Sequence, residues 1–309
     1  MPTLEDYARH SAYTDPGAHR ALLDALPSDI GALAAIVRNV IVHYRASRIP
    51  FAGARLDEIN SRWVARILDV DQRRHNAPLA VPRVEEQRVA GCCRDFTLLT
   101  VAALRHHGIP ARSRIGFAGY LDEGWNYDHV IVEHWDGQRW RFTDAQLPPE
   151  MHWPIDPSDV RRAGRNLLPT GAVFASAAEV WIAYRRGEVN IETYGVDPGL
   201  PYRGAWFVNA YVISELAHRQ RDELLLWDGW GAMGGPFRPD PALDNTLIDE
   251  IAALLVAADA GDEAAEQELS DRYAQDDRLH PGARIVSHSP TGQDLVVDLV
   301  ERAETPVPA

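Results

Sequence analysis

Apolar positions along the first part of the chain recur at helical spacing. Leu22, Leu23, Leu26, Ile30, Leu33, Ile36, Val37, Val40 and Ile41 follow one another in this way, and Pro27 and Gly31 interrupt the run. The pattern predicts two helices, the second over residues 30–44. His43 and Tyr44 then close that helix, where a histidine serves as a C-terminal charge or a packing residue. A further amphipathic helix is predicted over residues 57–73, with Ile59, Trp63, Ile67 and Leu68 on one face and Arg62, Arg66 and Asp69 on another. Residues 76–84, with Pro78 and Pro82, read as an extended connection. It leads into residues 91–112, GCCRDFTLLTVAALRHHGIPAR. There Phe96, Leu99, Ala103 and Leu104 form an apolar stripe, Arg94, Asp95 and Arg105 face out or pair, and Gly108 and Pro110 stop the helix.

The period then changes from helix to strand. Residues 113–119 suit a strand and 121–128 a loop. Residues 129–135 and 138–144 flank Asp136-Gly137, a strong hairpin signal. A two-residue turn there sets Trp135 opposite Gln138 and, stepping outward, His129 directly opposite Asp144. Farther on, the proline-rich residues 147–165 read as an irregular covering loop, and 179–186 as a helix. Residues 205–218 and 224–227 are apolar enough for buried helices, and 243–273 repeat a helical pattern. Trp227 and Trp230 lie in a glycine-rich stretch, where packing is the ordinary role and an aromatic lid the sharper one. Residues 280–300 suggest a final hairpin turning at 289–292, before a polar, loose end.

The 309 residues, 46% hydrophobic and 25% charged, suffice for a large core. The formal net charge of -14 argues against nucleic acid or anionic lipid as a partner. No apolar run approaches the roughly 18 residues of a membrane span. The opening MPTLEDYARH lacks the regions of a signal peptide, so a cytoplasmic location is expected. All 31 basic residues are arginines, so self-cross-linking through lysine is excluded. Cys92 and Cys93 are the only cysteines, and an adjacent pair makes no disulfide framework. There is no P-loop, dinucleotide fingerprint or H-E-x-x-H, and His106, His107 and His134 with one cysteine pair do not make a zinc site. No cofactor and no metal are expected.

The cysteines stand at a helix N-terminus, where free N–H groups and the helix dipole favour a thiolate. Alone, they read first as small buried hydrophobes, the usual fate of an intracellular cysteine. An opposed histidine and aspartate change the balance, because a carboxylate that holds an imidazole in place is the third member of a catalytic triad.

Residues 88–144 resemble the transglutaminase-like superfamily. Gly91 stands before the family's nucleophile, the helix runs to GIPAR at Gly108 to Arg112, and Arg94-Asp95-Phe96 continue as the family does after its cysteine. The nucleophile of that pattern therefore falls on Cys93. His129, Glu133, Gly137, Trp140 and Asp144 fall on its histidine, strand glutamate, turn glycine, tryptophan and aspartate. Cys92 occupies a position that the family fills variously, and it receives no catalytic role. Ile131 stands where many relatives carry an aromatic residue.

The resemblance implies an α+β, papain-like core, a cysteine helix against an antiparallel sheet, with additional helices at both ends. The expected parts are an N-terminal helical part (1–75), the catalytic core (76–150) and a mostly helical C-terminal region packed on it (151–309). It also implies a Cys-His-Asp enzyme, with Cys93, His129 and Asp144 catalytic, acting on an amide or thioester of a small molecule or peptide through a thioester on Cys93. The Cys93 N–H is the first expected oxyanion donor, with Gln87 or Trp63 as candidates for the second. Water as acceptor gives an amidase, deamidase or peptidase, and an amine gives transamidation. The alternative is an interaction protein that has kept the fold and lost the chemistry.

Overall fold

The computed structural model of the chain describes residues 1–160, 174–233 and 245–307. The N-terminal part folds as short helices α1 (Leu4–Tyr7) and α2 (Arg20–Asp24), then α3 (Ile30–Val40). This last helix stops four residues short of Tyr44. Ile41 turns to extended backbone at φ −112° and ψ 143°. Its β-branched neighbourhood then forms strand β1 (Ile41–His43) instead of a last helical turn. The predicted helix over 57–73 is likewise divided, into a 3-10 turn at Asp57–Asn60 and α4 (Val64–His75). The break has a tertiary cause. Arg62, assigned by periodicity to an outer face, is fully buried and forks onto Asp228 at 2.8 and 2.7 Å, with Ser287 at 2.7 Å.

Strand β2 (Val89–Gly91) pairs in parallel with β1 and runs straight into α5 (Cys93–His106). The C-terminus of α5 forms the expected glycine stop. Gly108 takes φ +72°, its N–H reaches Arg105 O at 3.0 Å, and the Ile109 N–H reaches Leu104 O at 2.9 Å. Contrary to an amphipathic reading, every residue from Cys93 to Arg105 is buried. The added helices cover the face that would otherwise meet water, so Arg94, Asp95 and Arg105 all pair internally. Arg105, for example, meets Glu223 at 2.8 Å.

The sheet follows as β3 (Ala111–Asp122), β4 (Trp125–Trp135), β5 (Trp140–Thr143) and β6 (Phe174–Ser176), in the antiparallel order β5-β4-β3-β6. Residues 121–128, expected as a loop, complete a long hairpin, because Glu123-Gly124 makes the turn and Gly124 takes φ +83°. Helix α5 packs on β3 and β4, and Thr97 Oγ1 donates to Val130 O at 2.8 Å. The fold is α+β with the cysteine helix against an antiparallel sheet, as expected.

Downstream come α6 (Ala177–Arg185), β7 (Tyr194–Gly195, parallel to β4), α7 (Ala205–Arg219), β8 (Asp228–Gly229), α8 (Asn245–Asp259) and α9 (Glu263–Gln275). Residues 224–227 are not helical. They are buried irregular chain leading into β8, the edge of a second sheet completed by β9 (Arg284–His288), β10 (Asp294–Asp298) and β11 (Ala303–Pro306). The final hairpin is as predicted, whereas the end expected to be loose supplies β11. Residues 161–165 of the predicted covering loop, 234–237 of the glycine-rich stretch, 243–244 of the next helical pattern and the last two residues lie outside the described residues. Among those described, no helix is long and apolar enough to cross a membrane.

Candidate active site

The cysteine is placed by two neighbours in sequence and one strand. Gly91 sits where a Cβ would meet Asp95 Oδ2 at 2.8 Å and Ile41 Cγ2 at 3.1 Å, so β2 approaches both only without a side chain. Asp95 reaches back to accept the Cys92 N–H at 2.8 Å, and Arg94 holds the other Asp95 oxygen at 2.9 Å. Cys92 is thereby the N-cap, and Cys93 is the first residue of α5. An N–H at that position has no acceptor within the helix.

His129 and Asp144 do meet, though not as directly opposed residues. The β4–β5 ladder sets Trp135 opposite Trp140 and Val132 opposite Thr143. The turn therefore pivots on Gly137-Gln138, one residue beyond the predicted Asp136-Gly137. Asp136 Oδ1 accepts the N–H groups of Gln138 and Arg139, both at 2.9 Å, which fixes Asp136 as the turn's first residue, and Gly137 then supplies φ +97°. Moving the pivot by one residue moves the register by two, and a two-residue shift keeps every side chain on its face. Asp144, just past β5, thus reaches diagonally to His129, and the His129 Nε2–Asp144 Oδ2 distance is 2.7 Å.

Further donors fix that carboxylate. Tyr120 OH donates to Asp144 Oδ2 at 2.7 Å and the Gln146 N–H to Oδ1 at 3.1 Å, while the Asp144 N–H is tied to Pro157 O at 2.8 Å. Arg38 Nη1 donates to Ala145 O at 3.0 Å and anchors the next residue. Tyr120→Phe removes one donor from the carboxylate without touching the cysteine. We expect a rate loss of about fivefold, equivalent to about 1 kcal/mol, in any reaction that uses the pair. Stopped-flow acylation of the variant checks this, and an unchanged rate would leave Tyr120 a packing residue.

The electrostatics move the Cys93 and His129 pKa values in opposite directions. Burial disfavours an imidazolium at His129, but Asp144 and the Cys93 sulfur outweigh it and hold the His129 pKa well above its ordinary value. The hydrogen bond from the Cys92 thiol pulls the Cys93 thiol well below its usual range; burial opposes this, and contacts from His129 and His43 add to the pull. Cys92 moves the opposite way, held protonated by its bond to Cys93 and by burial. Both shifts favour a thiolate on Cys93 and an imidazolium on His129, with the Asp144 carboxylate behind the ring.

Residues 54–145 match the model of the transglutaminase-like superfamily. They form a transglutaminase-like domain. No curated protein matches the chain. Among solved structures, one described as a "Putative Cysteine Protease from Cytophaga hutchinsonii" is similar at 22% identity and a TM-score of 0.28. The alignment covers 48% of this chain and 43% of that one, so the chain spans less than half the length of that protein.

Within the transglutaminase-like domain, the motif residues divide into two groups. Arg112, Glu133 and Trp140 lie away from the sulfur. Arg112 and Glu133 are cross-strand partners joined by a buried ion pair, and the guanidinium lies 4.4 Å from the Trp140 ring centre. These three lock the far end of the β3–β5 sheet. The second group faces a cavity of about 410 Å³, whose wall includes Cys93, His129, His43, Asp128, Trp153 and Trp227, while Asp144 stands behind the histidine ring. A larger groove of about 1060 Å³ between α4 and the second sheet contains none of the triad.

Two wall residues escape a reading of the sequence. His43, expected at a helix end, is half-buried in the same cavity wall as Cys93 and adds to the lowering of the Cys93 thiol pKa. Asp128 is held up at about 6 by burial and by the negative sulfur nearby, despite a 2.6 Å hydrogen bond from Tyr211. The tryptophans divide between their two possible roles. Trp227 lines the cavity, with its indole N–H on Asn60 at 3.0 Å, and Trp230 packs with its N–H on Leu279 O at 2.8 Å. Neither Gln87 nor Trp63 lines the cavity.

Proposed function

We propose that the protein is a cysteine acyl-transfer enzyme that cleaves or transfers an amide or thioester acyl group through a thioester on Cys93. The observation that carries this reading is the meeting of a helix-start cysteine with a histidine held 2.7 Å from a buried carboxylate, at the wall of one cavity. The Cys93 thiolate attacks the carbonyl carbon and the π electrons move to oxygen, to which the Cys93 N–H donates a hydrogen bond. His129 gives its proton to the leaving amine as the C–N bond breaks, and Asp144 keeps the ring aimed. In the second half, His129 takes a proton from water or an amine as that nucleophile attacks the thioester, and the thiolate leaves.

The cavity favours some substrates over others. Among the described residues, Asp122, Asp128 and Asp197 line it against a single arginine, Arg45. This balance disfavours anionic acyl donors and suits a neutral amide or an amine-bearing peptide or small molecule. The test is to incubate the protein with a panel of p-nitrophenyl esters and peptidyl amides and to quench for intact-mass spectrometry. The expected result is one acyl group on Cys93, removed by hydroxylamine and absent from Cys93→Ala. An adduct elsewhere, or none from any member, contradicts it. Adding butylamine during turnover then divides the products between acid and amide and so names the acceptor.

A further inference from the structure

We infer that the Nε2–H of His43 is the second oxyanion donor of this site, an inference that rests on Cys93 being the nucleophile. Three observations converge on it. Strand β1 pairs in parallel with β2 so that His43 lies opposite Gly91, and the Tyr44 N–H closes the pair on Gly91 O at 2.9 Å. The ring is thus pinned to backbone two residues before Cys93, not carried on a separate loop. Its tautomer is also set locally. His43 Nδ1 lies 3.2 Å from the Arg45 N–H and 3.1 Å from the Ala46 N–H. A nitrogen that accepts two N–H groups carries no proton, so the ring proton sits on Nε2 and that atom can only donate. Finally, the ring lines the same cavity as Cys93 and His129 and is among the groups that lower the Cys93 thiol pKa.

These facts give His43 a task distinct from that of His129. Its Nδ1 is already occupied, so it is not built to shuttle a proton. In the resting site its N–H faces the thiolate. When the sulfur attacks a carbonyl, the C–S bond forms and the C=O π pair moves to oxygen, shifting the negative charge from sulfur to an oxygen bonded to the same carbon. A donor beside the sulfur then meets the new charge together with the Cys93 N–H, and two donors converge on one oxygen. Collapse returns the pair to the carbonyl and expels the amine with the proton of His129, leaving His43 unchanged.

Two reactions of one sulfur separate this role from its rivals. Acylation by p-nitrophenyl acetate passes through an oxyanion, whereas alkylation by iodoacetamide is a displacement at carbon that forms none. For His43→Ala we expect acylation to fall by about 10²–10³-fold. Alkylation at pH 8 should change by less than about threefold, because a loss of thiolate is offset by greater nucleophilicity. Retained alkylation also reports an intact site, and His43→Gln, whose amide N–H can stand in for the ring, should recover part of the acylation. An equal fall in both reactions would make His43 a partner of the sulfur only, and no fall in either would remove it from the chemistry. Both results overturn the inference. Failure of the wild-type protein to alkylate at Cys93 would instead refute the nucleophile itself.

Discussion

Replacing His129 with alanine should lower acyl transfer from an amide by about 10²–10⁴-fold, the usual contribution of a positioned general acid and base. Two functions are lost together. In the proposed mechanism the ring adds to the Cys92 hydrogen bond in favouring the Cys93 thiolate, and it carries the proton that the departing amine needs. A p-nitrophenolate leaves without a proton, so the same variant should lose less on p-nitrophenyl esters than on amides. That inequality is specific to a proton-delivering histidine. Steady-state kinetics on one matched ester and amide measures it, with the urea midpoint as a control for folding. Equal losses on the two substrates would point to a role limited to holding the sulfur, and a loss below tenfold on the amide would count against the triad.

Arg94→Ala should cost about 3–5 kcal/mol of stability, the range for removing one partner of a buried ion pair. Arg94 is only 1% exposed. It donates to Asp95 Oδ1 at 2.9 Å, to Ser61 O at 3.4 Å and, by short bonds, to the carbonyls of Arg62 and Glu223. Without it these acceptors lose their partner, and burial, which already raises the Asp95 pKa, acts on that carboxylate unopposed by its nearest cation. Because Asp95 holds the N-cap of α5, the damage reaches Cys93 as well. Urea unfolding measures the loss. Arg284→Ala serves as the comparison, since that ion pair at 3.2 Å has an arginine side chain 75% exposed, and the change should stay within about 1 kcal/mol. Equal effects of the two substitutions would contradict the packing described for Arg94.

The contrast between these arginines shows where the sequence was legible. Local signals carried well. Gly108 and Pro110 ended α5 as expected, and the alternation around Gly137 placed His129 and Asp144 on one face even though the pivot was displaced, since a register shift of two is invisible to facing. Nonlocal pairing did not carry. Val40, Ile41 and Val42 continue a helical spacing, and only β2, some fifty residues later, makes them a strand and brings His43 to the sulfur. Arg62 and Arg94 look solvent-facing on a helical wheel because the groups that satisfy them, Asp228 and Glu223 O, lie more than a hundred residues away. Tyr120 sits in the bulged end of β3, where no alternation predicts its direction. Residues 224–227 are apolar because they are buried, and burial alone does not choose helix over irregular chain.

The central claim is that Cys93 rests as a thiolate paired with His129, and the pH dependence of its alkylation tests that claim most directly. A depressed thiol pKa means that the reactive form is lost only as the solution becomes acidic, when the sulfur takes up a proton. The second-order rate constant for iodoacetamide, with Cys93 identified by peptide mapping, should therefore stay nearly level as the pH falls through the ordinary thiol range near about pH 8.5 and drop only in more acidic solution. A rate that drops tenfold per unit below about pH 8.5, as for an ordinary thiol, would contradict it.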